Sequence, residues 1–261
     1  KAVDLALGMN ADIYHFHDPD LLIEALRLRK KACVIFDSHE DFPALMKQRD
    51  YIPDFARKVL FRLCTLIEKY SAKRLSAVVC ATETIQDKFA RYGNIKAVVV
   101  KNYPVFSSCE SETTNSDDTM KPVCYVGGLT ALRGVKEMVE ACNKAGVKLL
   151  LAGEFDNQAY FEQIKAMPEW RNVEFLGYVP TSQVREKVYN RSSVGLVLLH
   201  KAPNHTHSIP IKQLEYMQAG LPVVASREVE FCKQVTEAEN CGIVVNPLDT
   251  DQTAEAIRDI I

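Results

Sequence analysis

Residues 123–152 read VCYVGGLTALRGVKEMVEACNKAGVKLLLA. An apolar run, Val123–Val126, stops at Gly127-Gly128; a polar turn, a helical stretch and a second apolar run over 147–151 follow. A strand, a glycine turn, a helix and a strand in this order form a βαβ unit, whose two strands lie parallel with the helix on one face. The rhythm continues downstream, with strands read over 173–176, 194–199, 223–225 and 242–245, helices between them, and a last helix over 253–261. Six strands with short connections predict one doubly wound α/β domain over 122–261.

Upstream the same alternation is thinner. Strands are read over 11–17, 32–36, 77–81 and 97–100, and helices over 21–29, 54–75 and 84–92. This predicts a second Rossmann-like domain over 1–104. Four strands are few for such a domain, and the chain opens at Lys1 without a Met, so the expectation is that the domain is incomplete and that its opening strands precede this sequence. Between the two lies a polar, acidic stretch without apolar period, read as a linker over 105–121.

The bulk numbers narrow the classes. In 261 residues, 47% hydrophobic and 25% charged composition is that of an ordinary globular chain, and a net charge of −2 gives no reason to expect nucleic acid. The charge is divided, net +4 over 1–104 and net −6 over 105–261, which fits either two domains with different partners or chance. Eight cysteines contain no CxxC pair, and several lie in apolar runs such as Ala32-Cys33-Val34-Ile35, where a thiol behaves as a small buried hydrophobe. Neither a disulfide framework nor a zinc site is indicated, and a reducing cytoplasm is expected. No apolar run approaches the roughly 20 residues of a membrane span, and no signal peptide is visible.

In open parallel sheets ligands bind beyond the carboxyl ends of the strands. There Gly127-Gly128 begins a turn through Arg133-Gly134 into a helix, and two readings stand: turn chemistry, or a phosphate seat made by free N–H groups with Arg133 adding charge. The turn is not GxGxxG, which disfavours a dinucleotide. Other strand ends fall at Gly153 and at Gly177-Tyr178-Val179. The most informative segment is His205-Thr-His207-Ser208-Ile209-Pro210-Ile-Lys212-Gln-Leu-Glu215, continuing to Gly220-Leu-Pro-Val-Val. A loop enters a helix at Pro210 and the helix stops at Gly220. Lys212 and Glu215 share one side of that helix, either as a surface ion pair or as ligand-binding groups. The helix over 54–75 carries Arg57, Lys58, Arg62, Lys69, Lys73 and Arg74 among apolar residues, as a solvated basic face or as one that rests on an anionic membrane.

The last segment resembles the signature of the retaining glycosyltransferases of family 4, which have the GT-B fold. In that signature an acidic residue precedes a Glu by eight positions, before a small-residue stretch ending Gly-x-Pro-Val-Val. Glu215 and Gly220-Leu-Pro-Val-Val match, and His207 stands at the first acidic position. The 127–134 turn is similar to the family's phosphate loop, with Gly128 in place of its usual Arg and Arg133-Gly134 in place of Lys-Gly. Ile13-Tyr-His15-Phe-His17-Asp-Pro19 resembles its His-x-His-acidic-Pro strand end, and Asp37-Ser-His39-Glu40 and Asn102-Tyr-Pro104 also fit.

The resemblance spans nearly the whole chain. It implies a GT-B transferase with an incomplete N-terminal domain, moving a sugar with retention from a nucleoside-diphosphate sugar to a glycan or lipid-linked acceptor, as in bacterial polysaccharide or lipopolysaccharide assembly. It assigns Arg133 and Lys212 to the diphosphate, and His17 and His207 to the donor sugar. Glu215 falls to the ribose, the Gly177–Val179 backbone to the base, and Gly127, Gly128, Gly153, Ser208 and Ile209 to the donor pocket. No metal and no cofactor beyond the nucleotide-sugar co-substrate is expected. The expected location is the cytoplasm, at the inner membrane face if the 54–75 helix makes that contact. Two alternatives stay open: a nucleotide-sugar epimerase on the same fold, and a non-catalytic nucleotide-sugar-binding partner subunit, favoured by the changes at Gly128 and His207.

Overall fold

The computed structural model describes residues 1–46, 52–104 and 121–261. The chain divides into two compact units, Lys1–Asn102 and Tyr103–Ile261. The linker read over 105–121 lies, except for Lys121, outside the described residues.

In the first unit, α1 (Ala2–Met9) leads to β1 (Ile13–Phe16), followed by β2 (Cys33–Ser38), α2 (Phe42–Leu45), α3 (Asp54–Ala72), β3 (Ala77–Cys80), α4 (Glu83–Arg91) and β4 (Ala97–Val99). The strands form a parallel sheet in the order β1-β2-β3-β4. Two apolar clusters serve it, one around Leu22, Phe36, Val78, Ile85 and Phe89, the other around Val3, Ala25, Leu28 and Val34.

Three sequence readings need correction here. The stretch read as a helix over 21–29 forms two 3-10 segments, Pro19–Leu21 and Glu24–Lys30. Its buried residues are Leu22, Ala25 and Leu28, three apart, and three residues per turn is the 3-10 period. Cys33 is exposed, because β2 alternates and Cys33 falls on its outward face beside buried Val34. The helices α1 and α2 were not read from the sequence at all.

The helix α3 buries Cys64, Glu68, Ser71 and Ala72. Its opposite side exposes Phe55, Val59, Leu63, Leu66 and Tyr70, with Lys58, Arg62, Lys73 and Arg74 also exposed. Buried Glu68 accepts from Lys88 Nζ at 2.8 Å and from Tyr92 Oη at 2.7 Å, tying α3 to α4 and its C-terminal turn. Burial pushes the Glu68 carboxyl up from its ordinary range, and the two donors offset only part of that.

The second unit contains β5 (Val123–Val126), α5 (Val135–Ala145), β6 (Leu149–Ala152), α6 (Gln158–Lys165), β7 (Val173–Gly177) and α7 (Thr181–Lys187). It continues with β8 (Val194–Val197), α8 (Pro203–Thr206), α9 (Ile211–Gln218), β9 (Val223–Ser226), α10 (Glu230–Ala238), β10 (Gly242–Val245) and α11 (Thr250–Ile260). The six-stranded sheet runs β10-β9-β8-β5-β6-β7, all parallel. Strands β5, β6, β8 and β9 are buried at every position, as a parallel sheet covered on both faces requires. One face packs a core around Leu149, Leu151, Met138, Leu196 and Ile257; the other packs Leu150, Val188, Val197, Tyr216 and Cys232.

Candidate functional site

From β5 the sheet grows one way through β6 and β7 and the other way through β8, β9 and β10. The gap beyond the carboxyl ends of β5 and β8 is therefore the topological switch point, where such sheets take their ligands. Two glycines shape its floor. Gly153, at φ +143°, would place a Cβ 1.8 Å from the Gly127 carbonyl oxygen, so only glycine lets the turns after β5 and β6 meet. Gly134, at φ +76°, would place one 2.4 Å from the Leu198 carbonyl oxygen, so it brings the start of α5 against the end of β8.

Arg133 closes a 3-10 turn, Ala131–Arg133, and α5 follows with no side chain capping its first N–H groups. Its guanidinium hangs over the glycine turn: a Cβ on Gly127 would lie 3.2 Å from Arg133 NH1, and one on Gly128 3.8 Å from Arg133 Cζ. Arg133 NH1 approaches Tyr125 Oη at 3.5 Å, and Tyr125 Oη donates to the Gly128 carbonyl at 3.2 Å. Burial raises the Tyr125 phenol, with Arg133 pulling the other way, so the phenol serves as a fixed donor.

The segment after β8, read as a loop, contains one helical turn, α8, before α9. In α9, Lys212 Nζ lies 2.7 Å from Glu215 Oε2, so these two residues form an ion pair. Tyr189 Oη donates to the same oxygen. Both donors fall on Oε2, which leaves Oε1 to receive hydroxyl groups. The Tyr189 phenol is pushed up strongly, first by burial and then by Glu215, and acts only as a donor. Fully buried Tyr216 accepts from the Val126 N–H at 3.1 Å, and buried Gln213 donates to Thr236 at 2.9 Å; these bonds anchor α9 to β5 and α10. The N-terminus of α9 has no side-chain cap and no acidic residue in its first turn, and Lys212 adds a cation to its positive end.

His207 Nδ1 lies 3.0 Å from Glu230 Oε2 at the start of α10. Ser208 Oγ donates to the His205 carbonyl at 2.9 Å, and Ile209 is partly buried. Tyr178, 66% exposed, and partly buried Val179 follow the edge strand β7. Gly127, Gly128, Gly153 and Arg133 thus come together, Lys212 pairs with Glu215, and His207 pairs with Glu230. Sequence reasoning missed Tyr125, Tyr189 and Tyr216. The only signal for Tyr125 and Tyr216 was a hydroxyl inside an apolar pattern; Tyr189 lies in a 3-10 turn without a motif.

In the first unit His17 follows β1. Its Nδ1 lies 2.9 Å from His39 Nε2 and 3.4 Å from Asp37 Oδ2, and its ring stacks on His15 at 4.8 Å. The spacing Asp-x-Asp, a common metal-nucleotide signal, occurs at Asp18-Pro19-Asp20 and Asp249-Thr250-Asp251. Both first carboxylates are spent as caps, Asp18 accepting from the Asp20 N–H at 2.9 Å and Asp249 from the Gln252 N–H at 2.9 Å.

The sequence profile of the family Glycosyl transferases group 1 matches residues 121–261. The chain belongs to this family. The matched residues are the unit that contains the switch point and both glycine turns. Among solved structures, this glycosyltransferase resembles sucrose-phosphate synthase from Thermosynechococcus elongatus, with a TM-score of 0.70 and 18% identity over 99% of this chain and 67% of that one. It also resembles the UDP-forming α,α-trehalose-phosphate synthase of Burkholderia xenovorans, at 0.69 and 15% over 99% and 68%. Anabaena HepE in complex with UDP scores 0.65 and 15% over 99% and 70%. The chain spans half of S. aureus TarM, at a TM-score of 0.67. Likeness at these identities establishes the fold, GT-B with parallel-sheet Rossmann-like units, of which this chain covers part. No curated protein matches the sequence. Among the described residues no helix is long and apolar enough to cross a membrane.

Proposed function

We propose that this glycosyltransferase transfers a sugar, with retention and in the manner of family 4, from a nucleoside-diphosphate sugar to a glycan or lipid-linked acceptor in bacterial envelope polysaccharide assembly. One observation carries the reading. At the switch point Arg133 overhangs a glycine turn and leads into α5, while the uncapped start of α9 carries Lys212 and Glu215.

Glycosyl transfer passes through an oxocarbenium-like state while negative charge grows on the departing diphosphate. Arg133, Lys212 and the N-termini of α5 and α9 stabilise that charge more than they stabilise the intact donor. With cationic side chains in that role, the step needs no metal ion or further cofactor. Glu215, held through Oε2 by Tyr189 and Lys212, offers Oε1 to the ribose hydroxyls. The base lies on the backbone of Gly177, Tyr178 and Val179. Ser208 and Ile209 line the donor pocket, and His207 takes part after leaving Glu230. The exposed apolar and basic face of α3 rests on the anionic inner face of the membrane, where lipid-linked acceptors reside.

The test is a thermal-shift screen of UDP, GDP, ADP and CMP sugars, followed by NMR assignment of the product anomer. Stabilisation by one donor and a product of unchanged configuration are expected. No stabilisation by any of the four classes would overturn the reading. A second reading, a binding subunit without turnover, is favoured by Gly128 at the position of the family's usual Arg and by the His207–Glu230 contact. Donor binding with no transfer on any acceptor would select it.

A further inference from the structure

Among the described residues, chemistry-bearing side chains also concentrate at the carboxyl ends of β1 and β2 in the first unit. The parallel register pairs His15 with Ile35 and Phe16 with Phe36, so His17 comes level with Asp37. Residues two apart on a strand share a face, which puts His15 and His17 on one side. His39 follows from the other strand. The result is three imidazoles around one carboxylate: His15 Nε2 and His17 Nδ1 lie 3.2 and 3.4 Å from Asp37 Oδ2, and His39 Nε2 lies 3.6 Å from Asp37 Oδ1.

We propose that this cluster binds a divalent transition-metal ion of the zinc class through His15, His17 and Asp37, with His39 as the fourth ligand. One ligand atom from each of His15, His17 and Asp37 lies within 4.8 Å of the other two. Zinc holds nitrogen and oxygen at about 2.0–2.2 Å, which separates neighbouring ligands by roughly 3.3–3.6 Å in a tetrahedron. The two imidazole-to-Asp37 separations, 3.2 and 3.4 Å, already stand at or close to that length. The 2.9 Å contact between His17 Nδ1 and His39 Nε2 takes one proton between two lone pairs, and a cation replacing that proton satisfies both. Imidazole with carboxylate suits zinc, cobalt, nickel and copper over magnesium or calcium.

The surroundings fit. The Asp37 side chain is 14% exposed and anchors the floor, while the imidazoles are 44%, 58% and 41% exposed and leave an entry path. Asn102 reaches the outer nitrogen of His39, its Nδ2 3.0 Å from His39 Nδ1. Ligation through Nε2 requires a proton on Nδ1, and a half-turn of the Asn102 amide presents its oxygen to that proton. Cys33 is not part of the site: it stands four residues before Asp37 on the same strand, roughly 13 Å away.

The test is independent of transfer activity. Tag-free protein, stripped with a chelator, is titrated with zinc by calorimetry and with Co(II) by visible absorption. One equivalent of each metal is expected, with the intense d–d bands of tetrahedral Co(II). Asp37→Asn and His17→Ala should each weaken binding at least tenfold, while Cys33→Ser leaves it unchanged. Because His17 is exposed, His17→Ala should keep its thermal midpoint and remains informative if Asp37→Asn fails to fold. Absence of binding, retention of full affinity in His17→Ala, or a thiolate-to-cobalt charge-transfer band would each overturn the proposal.

Discussion

Lys212 and Arg133 are the two cations proposed for the diphosphate, and they are held differently. Lys212 is fixed by Glu215 at 2.7 Å, whereas Arg133 NH1 stands 3.5 Å from the Tyr125 hydroxyl. A charge-assisted hydrogen bond contributes about 1.5–3 kcal/mol. Arg133→Ala and Lys212→Ala should each weaken nucleoside diphosphate binding by about tenfold or more, read by calorimetry. Unchanged affinity in both would remove them from the diphosphate site. Of this geometry, the glycines, Arg133, Lys212 and Glu215 were legible in the sequence because strand ends and helix starts leave marks there. The Tyr189–Glu215 bond was not legible, because it joins residues 26 apart across a turn that no pattern announces. Glu68 makes a separate prediction. Its carboxyl is raised by burial, so its contribution to stability is full below the ordinary Glu range and is lost as pH rises through the raised value. The thermal midpoint of the chain should therefore fall with rising pH above about 4.5 more steeply than that of Glu68→Gln. Parallel curves would show that Glu68 does not titrate in that window.

At the scale of elements, α3 is the clearest case of a face without a partner among the described residues. Phe55, Val59, Leu63, Leu66 and Tyr70 follow one another at helical spacing and fall within a narrow arc, with Lys58 and Arg62 on one flank. An apolar stripe with a basic flank is the pattern of a helix lying in a bilayer interface. Leu66→Glu should reduce co-sedimentation with phosphatidylglycerol vesicles severalfold or more while leaving the thermal midpoint nearly unchanged, since Leu66 is 64% exposed. Equal sedimentation of both proteins would leave α3 as a solvated helix. The sequence disclosed this helix because its length and charge pattern are local. The 3-10 segments at 19–21 and 24–30 were misread as one α-helix, because a spacing of three satisfies half of the i, i+3, i+4 pattern. The start of α9 at Ile211 was legible from Pro210, whose missing N–H is tolerated only at a helix's first turn.

At the scale of the molecule, charge poses a question that contacts alone do not answer. Residues 1–104 carry net +4 and residues 105–261 net −6, yet the proposed anion site lies in the acidic half. Over distance the sign of a domain matters little, because at about 0.1 M salt charges more than about 10 Å apart are largely screened. What decides diphosphate binding is the set of donors within hydrogen-bond reach: two cations and two helix starts at the switch point. Membrane contact through α3 differs in kind. It sums exposed, unaimed charges, each worth about 1 kcal/mol near an anionic surface, and all of them are open to screening ions. Salt should therefore separate the two. Raising sodium chloride from about 0.05 to about 0.5 M shortens the screening length roughly threefold. Vesicle binding should fall at least tenfold over that range, measured by co-sedimentation, while nucleoside diphosphate affinity falls only a few-fold, measured by calorimetry. If nucleotide affinity falls as steeply as vesicle binding, the anion is held by diffuse charge, and the built site at the ends of β5 and β8 is wrong.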